Sequence, residues 1–242
     1  VGDHVFCMAS HQSFQVVNYH NVVKIPAGIR LENALFIRLA GVSMATLSRT
    51  GITPGEKVLV TGLGVVGLMA MLIYSNLGYD VIGVDPDENR RNVAHNLGFS
   101  EIYEATPFDK YTKLIGLALE CSGNEAAVHD CCKIVRPHGE VSIVGVPWKP
   151  CTQLKSYDLL HSVFYNYVKL YSGWEMDLPF NGNNFIHETM KKNYCLALKL
   201  IEDGKICLDD LYTVLSYKDA QKAYDDIFEK REKKVATILS YR

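Results

Sequence analysis

No stretch of this chain is apolar for long enough to cross a bilayer. The longest run, Val65 to Tyr74, falls well short of the roughly 20 residues a spanning helix needs, so neither a transmembrane span nor a signal segment is expected. No charge of one sign dominates: 25 basic side chains stand against 27 acidic ones, and no field favours nucleic acid or an acidic membrane surface. Small neutral-to-anionic ligands remain open as partners. The seven cysteines (7, 121, 131, 132, 151, 195, 207) show no CxxC spacing, and their odd number leaves one unpaired in a fully disulfide-bonded protein. Reduced thiols in a cytoplasmic protein are expected. There is no initiator Met, since the chain opens Val1-Gly2-Asp3, which points to processing or to a fragment. Internal repeats, low-complexity tracts and long linkers are also missing. What is present reads as globular: 48% of the 242 residues are hydrophobic and 21% charged. That length holds one large domain, or one standard domain with part of another.

The chain is punctuated like an alternating α/β fold. Residues 4 to 24 suggest short strands at Val5-Phe6, Phe14 to Val17 and Val22 to Lys24, before Pro26-Ala27-Gly28 breaks the pattern. Apolar positions recur at helical spacing from Leu31 to Thr50. Lys57 to Thr61 is a β-branched run that feeds straight into Gly62, and Val65 to Leu77 reads as a buried helix closed by Gly78. A second strand, Val81 to Val84, ends in Asp85, and a second helix, Asn89 to Leu97, is closed by Gly98. That completes a βαβ unit of about 30 residues. Further strands are expected near Glu101 to Tyr103, Leu117 to Cys121, Glu140 to Val144 and Tyr167 to Tyr171, with helices at Glu125 to Val135 and Tyr157 to Phe164. Beyond them lie helical stretches at Ile186 to Asp203 and Tyr217 to Lys230 and a last strand at Val235 to Leu239. Such alternation implies a doubly wound parallel sheet with both faces covered.

The segment Gly62-Leu63-Gly64-Val65-Val66-Gly67 is a GxGxxG pattern, weak evidence alone but here set between a strand and a helix. In the logic of that pattern Gly62 turns the chain off the strand, Gly64 lets backbone approach a pyrophosphate, and Gly67 lets the helix pack on the sheet. The N–H groups around Val65 and Val66 then hold the anion. Asp85 stands 18 residues beyond Gly67, where a carboxylate can accept bonds from both ribose hydroxyls of an adenosine. A 2′-phosphate would meet a like charge there, so NAD is favoured over NADP, although Arg90 and Arg91 lie close by. The competing reading makes the glycines an ordinary turn and Asp85 the N-cap of the next helix.

Other patterns carry less. His187-Glu188 matches half of a HExxH zinc motif, but position 191 is Lys. Cys131-Cys132 falls inside a predicted helix and reads as small core residues. His4, His11 and His20 have neither regular spacing nor a partner Cys and read as surface or structural histidines.

Thr53 to Gly67 resembles the start of the coenzyme domain in the medium-chain dehydrogenase/reductase superfamily, the zinc-type alcohol dehydrogenases. Val1-Gly-Asp-His-Val resembles a strand late in that family's GroES-like catalytic domain, and Val23-Lys-Ile-Pro-Ala-Gly its approach to the Rossmann domain. Glu120-Cys-Ser-Gly-Asn is similar to the turn after the family's fourth strand, and Arg136-Pro-His-Gly-Glu with Val144-Gly-Val-Pro to its fifth. The resemblance covers nearly the whole chain. It implies a GroES-like remnant over residues 1–34, a Rossmann NAD-binding domain over 35–175, and a segment, 176–242, returning to the catalytic domain. It makes Val65 and Val66 pyrophosphate contacts and Asp85 and Arg90 adenosine-ribose contacts, sets Gly145-Val146 against the nicotinamide, and lines the same cleft with Ser122-Gly123. The family's catalytic zinc ligands and four-cysteine lobe belong to a region ahead of Val1. An ungapped alignment places Arg38 where polyol-type members have a glutamate ligand, and an arginine, always protonated, cannot ligate zinc. Ala236 stands where some members have a pyrophosphate-binding arginine. No metal ligand is therefore assigned in this chain.

The expected function is NAD(H)-dependent hydride transfer between the nicotinamide and a small alcohol or carbonyl substrate, in a homodimer or homotetramer. A zinc-free member needs a hydrogen-bond donor to stabilise the developing alkoxide, which leans toward ketone or enone reduction. A second reading is an NAD-binding module without catalysis, or a truncated one. A third, a flavin or S-adenosylmethionine protein on a similar sheet, fits the glycines and Asp85 but not the downstream segments.

Overall fold

The computed structural model describes residues 1–229 and 231–241. The chain folds into two compact units, Val1–Arg38 with Leu178–Arg242, and Leu39–Asp177.

In the first unit β1 (Val5–Cys7) and β2 (Val22–Lys24) pair antiparallel, followed by the single turn α1 (Leu31–Ala34). The strand expected at Phe14 to Val17 does not form, and those residues lie exposed in irregular chain. α2 (Ile37–Met44) leads into the second unit and tightens into a 3-10 turn at Ala45–Ser48, so the helical run expected to Thr50 ends in two pieces.

The second unit then alternates strictly. Its elements are β3 (Lys57–Thr61), α3 (Val65–Asn76), β4 (Asp80–Val84), α4 (Glu88–Asn96), β5 (Ile102–Tyr103) and the short α5 (Phe108–Tyr111). They continue as β6 (Ile115–Glu120), α6 (Glu125–Ile134), β7 (Val135–Ile143), α7 (Ser156–Tyr165) and β8 (Lys169–Ser172). The six strands form one sheet in the order β5-β4-β3-β6-β7-β8, every neighbouring pair parallel. β3 and β4 are adjacent as expected, with Val58 beside Val81 and Thr61 beside Val84. The chain starts at β3, winds one way to β5, then crosses back to β6, which is the Rossmann order with its switch point between β3 and β6.

Successive side chains of a strand point to opposite faces, so the register shows what covers each face. Leu59, Ile82, Ala118 and Val141 lie abreast and join one core with Val128, Cys131 and Cys132 of α6, while Leu159 and Val163 of α7 pack against it. Burying each of the larger aliphatic side chains contributes about 1.5–3 kcal/mol. On the other face Gly83 lies under Met71 of α3, and the Thr46 and Ser142 hydroxyls meet at 2.7 Å. A sheet covered on both faces explains why β6 is buried along its whole length and carries no polar side chain from Ile115 to Leu119, ahead of Glu120.

The chain returns to the first unit with α8 (Met190–Glu202), β9 (Tyr212–Ser216), α9 (Ala220–Phe228) and β10 (Ala236–Ser240). Thr189 caps α8 by accepting the Lys192 N–H at 3.0 Å, and its buried side chains, Met190, Asn193, Tyr194, Ala197 and Leu198, keep helical spacing. β9, which sequence reading did not anticipate, pairs in parallel with β10. The helix expected over Tyr217 to Lys230 begins as a 3-10 turn at Tyr217–Asp219, and Lys230 lies outside the described residues.

Candidate functional site

Three strand ends meet at the switch point, and backbone contacts hold them together. The loop after β3 turns at Gly62, whose φ of +82° is a left-handed value that favours glycine. A Cβ there would stand 2.6 Å from Ser122 Cα, so the loops after β3 and β6 touch backbone to backbone. At Gly67 a Cβ would lie 1.9 Å from the Gly62 carbonyl oxygen, which is why α3 can press against the loop. Gly64 differs from both. It N-caps α3 with no side-chain cap, and a Cβ on it would meet no protein atom within 4 Å. Open space thus lies over the end of a 12-residue helix whose first N–H groups have no intrahelical acceptor.

Asp85 follows β4 and is buried. Its Oδ2 accepts the Leu63 N–H at 2.7 Å and an Arg90 guanidinium nitrogen at 3.4 Å, and its Oδ1 accepts the Asp87 N–H at 2.8 Å. The N-cap of α4 is Asp87, which accepts the Asn89 and Arg90 N–H groups at 2.9 and 3.2 Å. Asp85 therefore belongs to the glycine loop and does not cap that helix. Arg91 turns away, donating to the carbonyls of Asp85 and Pro86 at 2.9 and 2.8 Å.

The second strand end is organised by Glu120, a fully buried residue that sequence reading placed in a motif without giving it a role. Its Oε1 accepts the N–H groups of Ser122 and Gly123 at 2.7 and 3.1 Å and the Thr61 hydroxyl at 3.4 Å, and the Ser122 hydroxyl donates to the same oxygen. Burial pushes its carboxyl above the usual carboxylate range, against the pull of those donors. The Glu120 carbonyl accepts the N–H groups of Val144 and Gly145 at 2.9 and 2.7 Å, tying in the third strand end. A Cβ on Gly145 would lie 2.7 Å from the Gly123 nitrogen, and one on Gly123 would lie 2.9 Å from the Val146 carbonyl oxygen. Gly62, Gly64, Val65, Val66, Gly67, Asp85, Arg90, Ser122, Gly145 and Val146 are thus linked into one neighbourhood.

The sequence model of the zinc-binding dehydrogenase family matches residues 65–175, from the start of α3 past β8, a stretch that carries the ends of β6 and β7 but begins after β3 and Gly64. This match and the relatives that follow support the medium-chain dehydrogenase/reductase superfamily. It is 22% identical over 231 residues to D-xylulose reductase A of Aspergillus oryzae, covering 90% of this chain and 59% of that protein. It is 31% identical over 140 residues to an L-threonine 3-dehydrogenase of Legionella pneumophila, covering 52% of this chain and 40% of that one. The chain therefore spans little more than half the length of the reductase it matches. Among solved structures, galactitol-1-phosphate dehydrogenase of Escherichia coli superposes with a TM-score of 0.74 at 18% identity, over 89% of this chain and 62% of the other. Acetophenone reductase of Geotrichum candidum, solved with NAD, superposes at 0.70 and 17% identity, over 89% and 58%. At these identities the structural likeness speaks for the fold alone.

Zinc, which names the matched family, finds no donor set: among the described residues no three His, Cys, Asp or Glu side chains come together as a metal site. His4, His11 and His20 are exposed, and His187 and Glu188 lie exposed just ahead of α8, with Glu188 paired to Lys192. Cys131 and Cys132 are buried in α6, where burial pushes both thiols up, Cys132 to about 12. Among the described residues no helix is long and apolar enough to cross a membrane. A separate cleft of about 550 Å³, lined by Arg49, Glu140, Lys169, Tyr171, Trp174 and Asp177 among others, lies along β8 and includes none of the strand-end residues.

Proposed function

We propose that this chain binds NAD(H) in the crevice between β3 and β6 and forms part of an alcohol-dehydrogenase-like oxidoreductase. The observation that carries the reading is the open space over Gly64. It is the one glycine of the loop that no protein atom crowds, and it stands at the uncapped end of α3. A pyrophosphate there receives the N–H groups around Val65 and Val66 at the positive end of the helix dipole. Asp85, with a lone pair on Oδ1 beyond its bond to Asp87, receives a ribose hydroxyl, and Arg90, paired with Oδ2 at 3.4 Å, stands beside the same ribose. Its charge disfavours a 2′-phosphate, so NAD is the proposed cofactor over NADP. Ser122 and Gly123 line the crevice, and Gly145-Val146 lies against the nicotinamide.

When bound, the nicotinamide supplies the hydride. The protein's part is to fix the ring on a backbone platform made rigid by Glu120. The names of the relatives, a xylulose reductase, a threonine dehydrogenase and a sorbitol dehydrogenase of Bacillus subtilis, support a small alcohol or carbonyl as substrate. Zinc is left out of the proposal, because Arg38 and the scattered His and Cys residues offer no ligand set. We further propose that the unit of Val1–Arg38 and Leu178–Arg242 belongs to a GroES-like catalytic domain, and that the protein is cytoplasmic and a homodimer or homotetramer.

The missing donor set favours a second reading, a nucleotide-binding module without turnover. Calorimetry with NAD and NADP, beside an assay with NADH and a panel of ketones, enones and aldehydes, separates the two. NAD binding with turnover is the expected result. Binding without turnover supports the module, and no binding of either dinucleotide overturns both readings.

A further inference from the structure

We propose that the cleft along β8 is a second small-molecule site, separate from the dinucleotide crevice, and that it takes an apolar or aromatic monocarboxylate with its carboxylate on Arg49 and its apolar part against Trp174. The inference does not depend on the dinucleotide reading.

The cleft has a volume of about 550 Å³, inside the range of small-molecule pockets, and every residue that lines it belongs to the unit Leu39–Asp177. Arg49 follows the 3-10 turn at Ala45–Ser48. Its side chain is only 22% exposed, and its Nη1 and Nη2 donate to the carbonyls of Ser172 and Trp174 at 2.8 and 3.4 Å. Those bonds to neutral carbonyls aim the guanidinium and leave its charge uncompensated. The charge is met by the Asp177 carboxylate, 2.8 Å from Nη2. Asp177 is 74% exposed and belongs to the single 3-10 turn Glu175–Asp177. A guanidinium fixed by backbone thus faces a carboxylate that water can take over, and ion pairs with so exposed a partner contribute little to stability.

Glu140, the other acid of the cleft, is already engaged. Its Oε1 accepts the Gly51 N–H at 3.0 Å, its Oε2 accepts the Tyr171 hydroxyl at 3.0 Å, and Lys169 Nζ lies 3.6 Å from Oε1. With Asp177 turned to solvent, Arg49 and Lys169 stand against Glu140 alone, an excess of one positive charge among the lining residues. That excess matches one carboxylate, whose two oxygens suit the planar guanidinium fork, better than a doubly charged phosphate. Trp174 lines the cleft while 68% exposed, and its indole gives the apolar part of a ligand a face to lie on. Asp177 is the internal stand-in for the carboxylate of that ligand.

Isothermal titration of the full chain with phenylacetate as the probe, with and without saturating NAD, tests this beside 2-phenylethanol and inorganic phosphate. The chain has two tryptophans, so Trp148→Phe leaves Trp174 as the reporter of emission. The expected result is one phenylacetate per chain with a dissociation constant on the order of 1 mM or tighter, a change in Trp174 emission along the same isotherm, and no displacement by NAD. Asp177→Asn should tighten phenylacetate at least about threefold, because without the internal carboxylate more of the population is competent to bind. Arg49→Gln should weaken it at least about tenfold. Circular dichroism confirms that each variant is folded, and Asp177→Asn, a change at an exposed side chain, carries the test if Arg49→Gln does not fold. The titration without NAD stands whether or not the dinucleotide binds. No binding to the native chain or to the Asp177→Asn protein overturns the site. Phosphate or 2-phenylethanol binding as tightly as phenylacetate overturns the ligand class. Displacement by NAD, or an affinity that Asp177→Asn leaves unchanged, overturns the location.

Discussion

The carboxylate of Asp85 accepts the backbone N–H of Leu63 at 2.7 Å, joining the end of β4 to the middle of the glycine loop. The side chain that the proposal sets against the ribose also holds the loop that would cradle the pyrophosphate. A charge-assisted bond in a buried setting of this kind contributes about 1.5–3 kcal/mol.

That double duty changes which variant tests cofactor choice. Asp85→Asn keeps a carbonyl oxygen for Leu63 and removes the negative charge, whereas Asp85→Ser removes both. Asp85→Asn is expected to narrow the NAD over NADP preference and to lower the melting temperature, though by less than Asp85→Ser, because one of the two oxygens that accept the Leu63 and Asp87 N–H groups becomes an amide NH2. Asp85→Ser is expected to weaken NAD by about 1.5–3 kcal/mol and to destabilise the fold as well. Dissociation constants for both dinucleotides and thermal melts of the three proteins decide it. A native chain that prefers NADP, or an Asp85→Asn protein that weakens both equally, removes Asp85 from the ribose.

Gly64 and Gly67 separate binding from folding. Alanine at Gly67 would set its Cβ 1.9 Å from the Gly62 oxygen, and loss of about 3 kcal/mol or more is expected. Alanine at Gly64 meets no protein atom within 4 Å, and its φ of −73° suits any residue. Urea melts of Gly64→Ala should match the native chain to within about 0.5 kcal/mol, with NAD affinity down at least about tenfold. Unchanged affinity in Gly64→Ala would show that no ligand uses that space.

Two buried glutamates are expected to give opposite pH dependences. Burial raises the Glu120 pKa above its ordinary 4.5. Burial also acts upward on Glu140, but the Gly51 N–H, the Thr50 and Tyr171 hydroxyls and Lys169 outweigh it and bring the carboxyl below 4.5. The Glu120 contribution to stability is therefore present below the unfolded value and lost as pH rises through the folded one. That of Glu140 is present above the unfolded value and lost as pH falls through the folded one. Relative to the native chain, Glu120→Gln should gain stability as pH rises above about 4.5, and Glu140→Gln should lose more at neutral pH than at pH 3. Each slope is bounded by about 1.4 kcal/mol per pH unit. Urea melts from about pH 3 to 8 that run parallel to the native curve would refute both assignments.

Elemental analysis of the chain should find no stoichiometric zinc, since among the described residues no three His, Cys, Asp or Glu side chains come together as a metal site. One zinc per chain surviving dialysis against a chelator would overturn this.

The βαβ core was legible in the sequence because its signals are local. A β-branched run, three glycines and an acid at fixed spacing specify β3, α3 and β4 almost to the residue, and the family resemblance rests on the same stretch. The ten candidate site residues could be named from the sequence because each lies at the end of a strand or the start of a helix, where the local pattern marks the position. Other features depend on partners distant in sequence. Phe14 to Val17 has a strand-like pattern but no strand to pair with, while Tyr212 to Ser216 becomes a strand because Ala236 to Ser240 lies alongside it. Backbone hydrogen bonds, not side-chain pattern, decide such short segments. Only the tertiary structure showed that Glu120 organises the crevice and that Asp85 grips Leu63, because a carboxylate buried against backbone N–H groups has no sequence pattern of its own. It also decided which side of α7 stays outside: the apolar pattern of Tyr157 to Tyr165 runs around the helix, and only packing against α6 and the sheet buries Leu159 and Val163 and leaves Leu160 and Phe164 exposed.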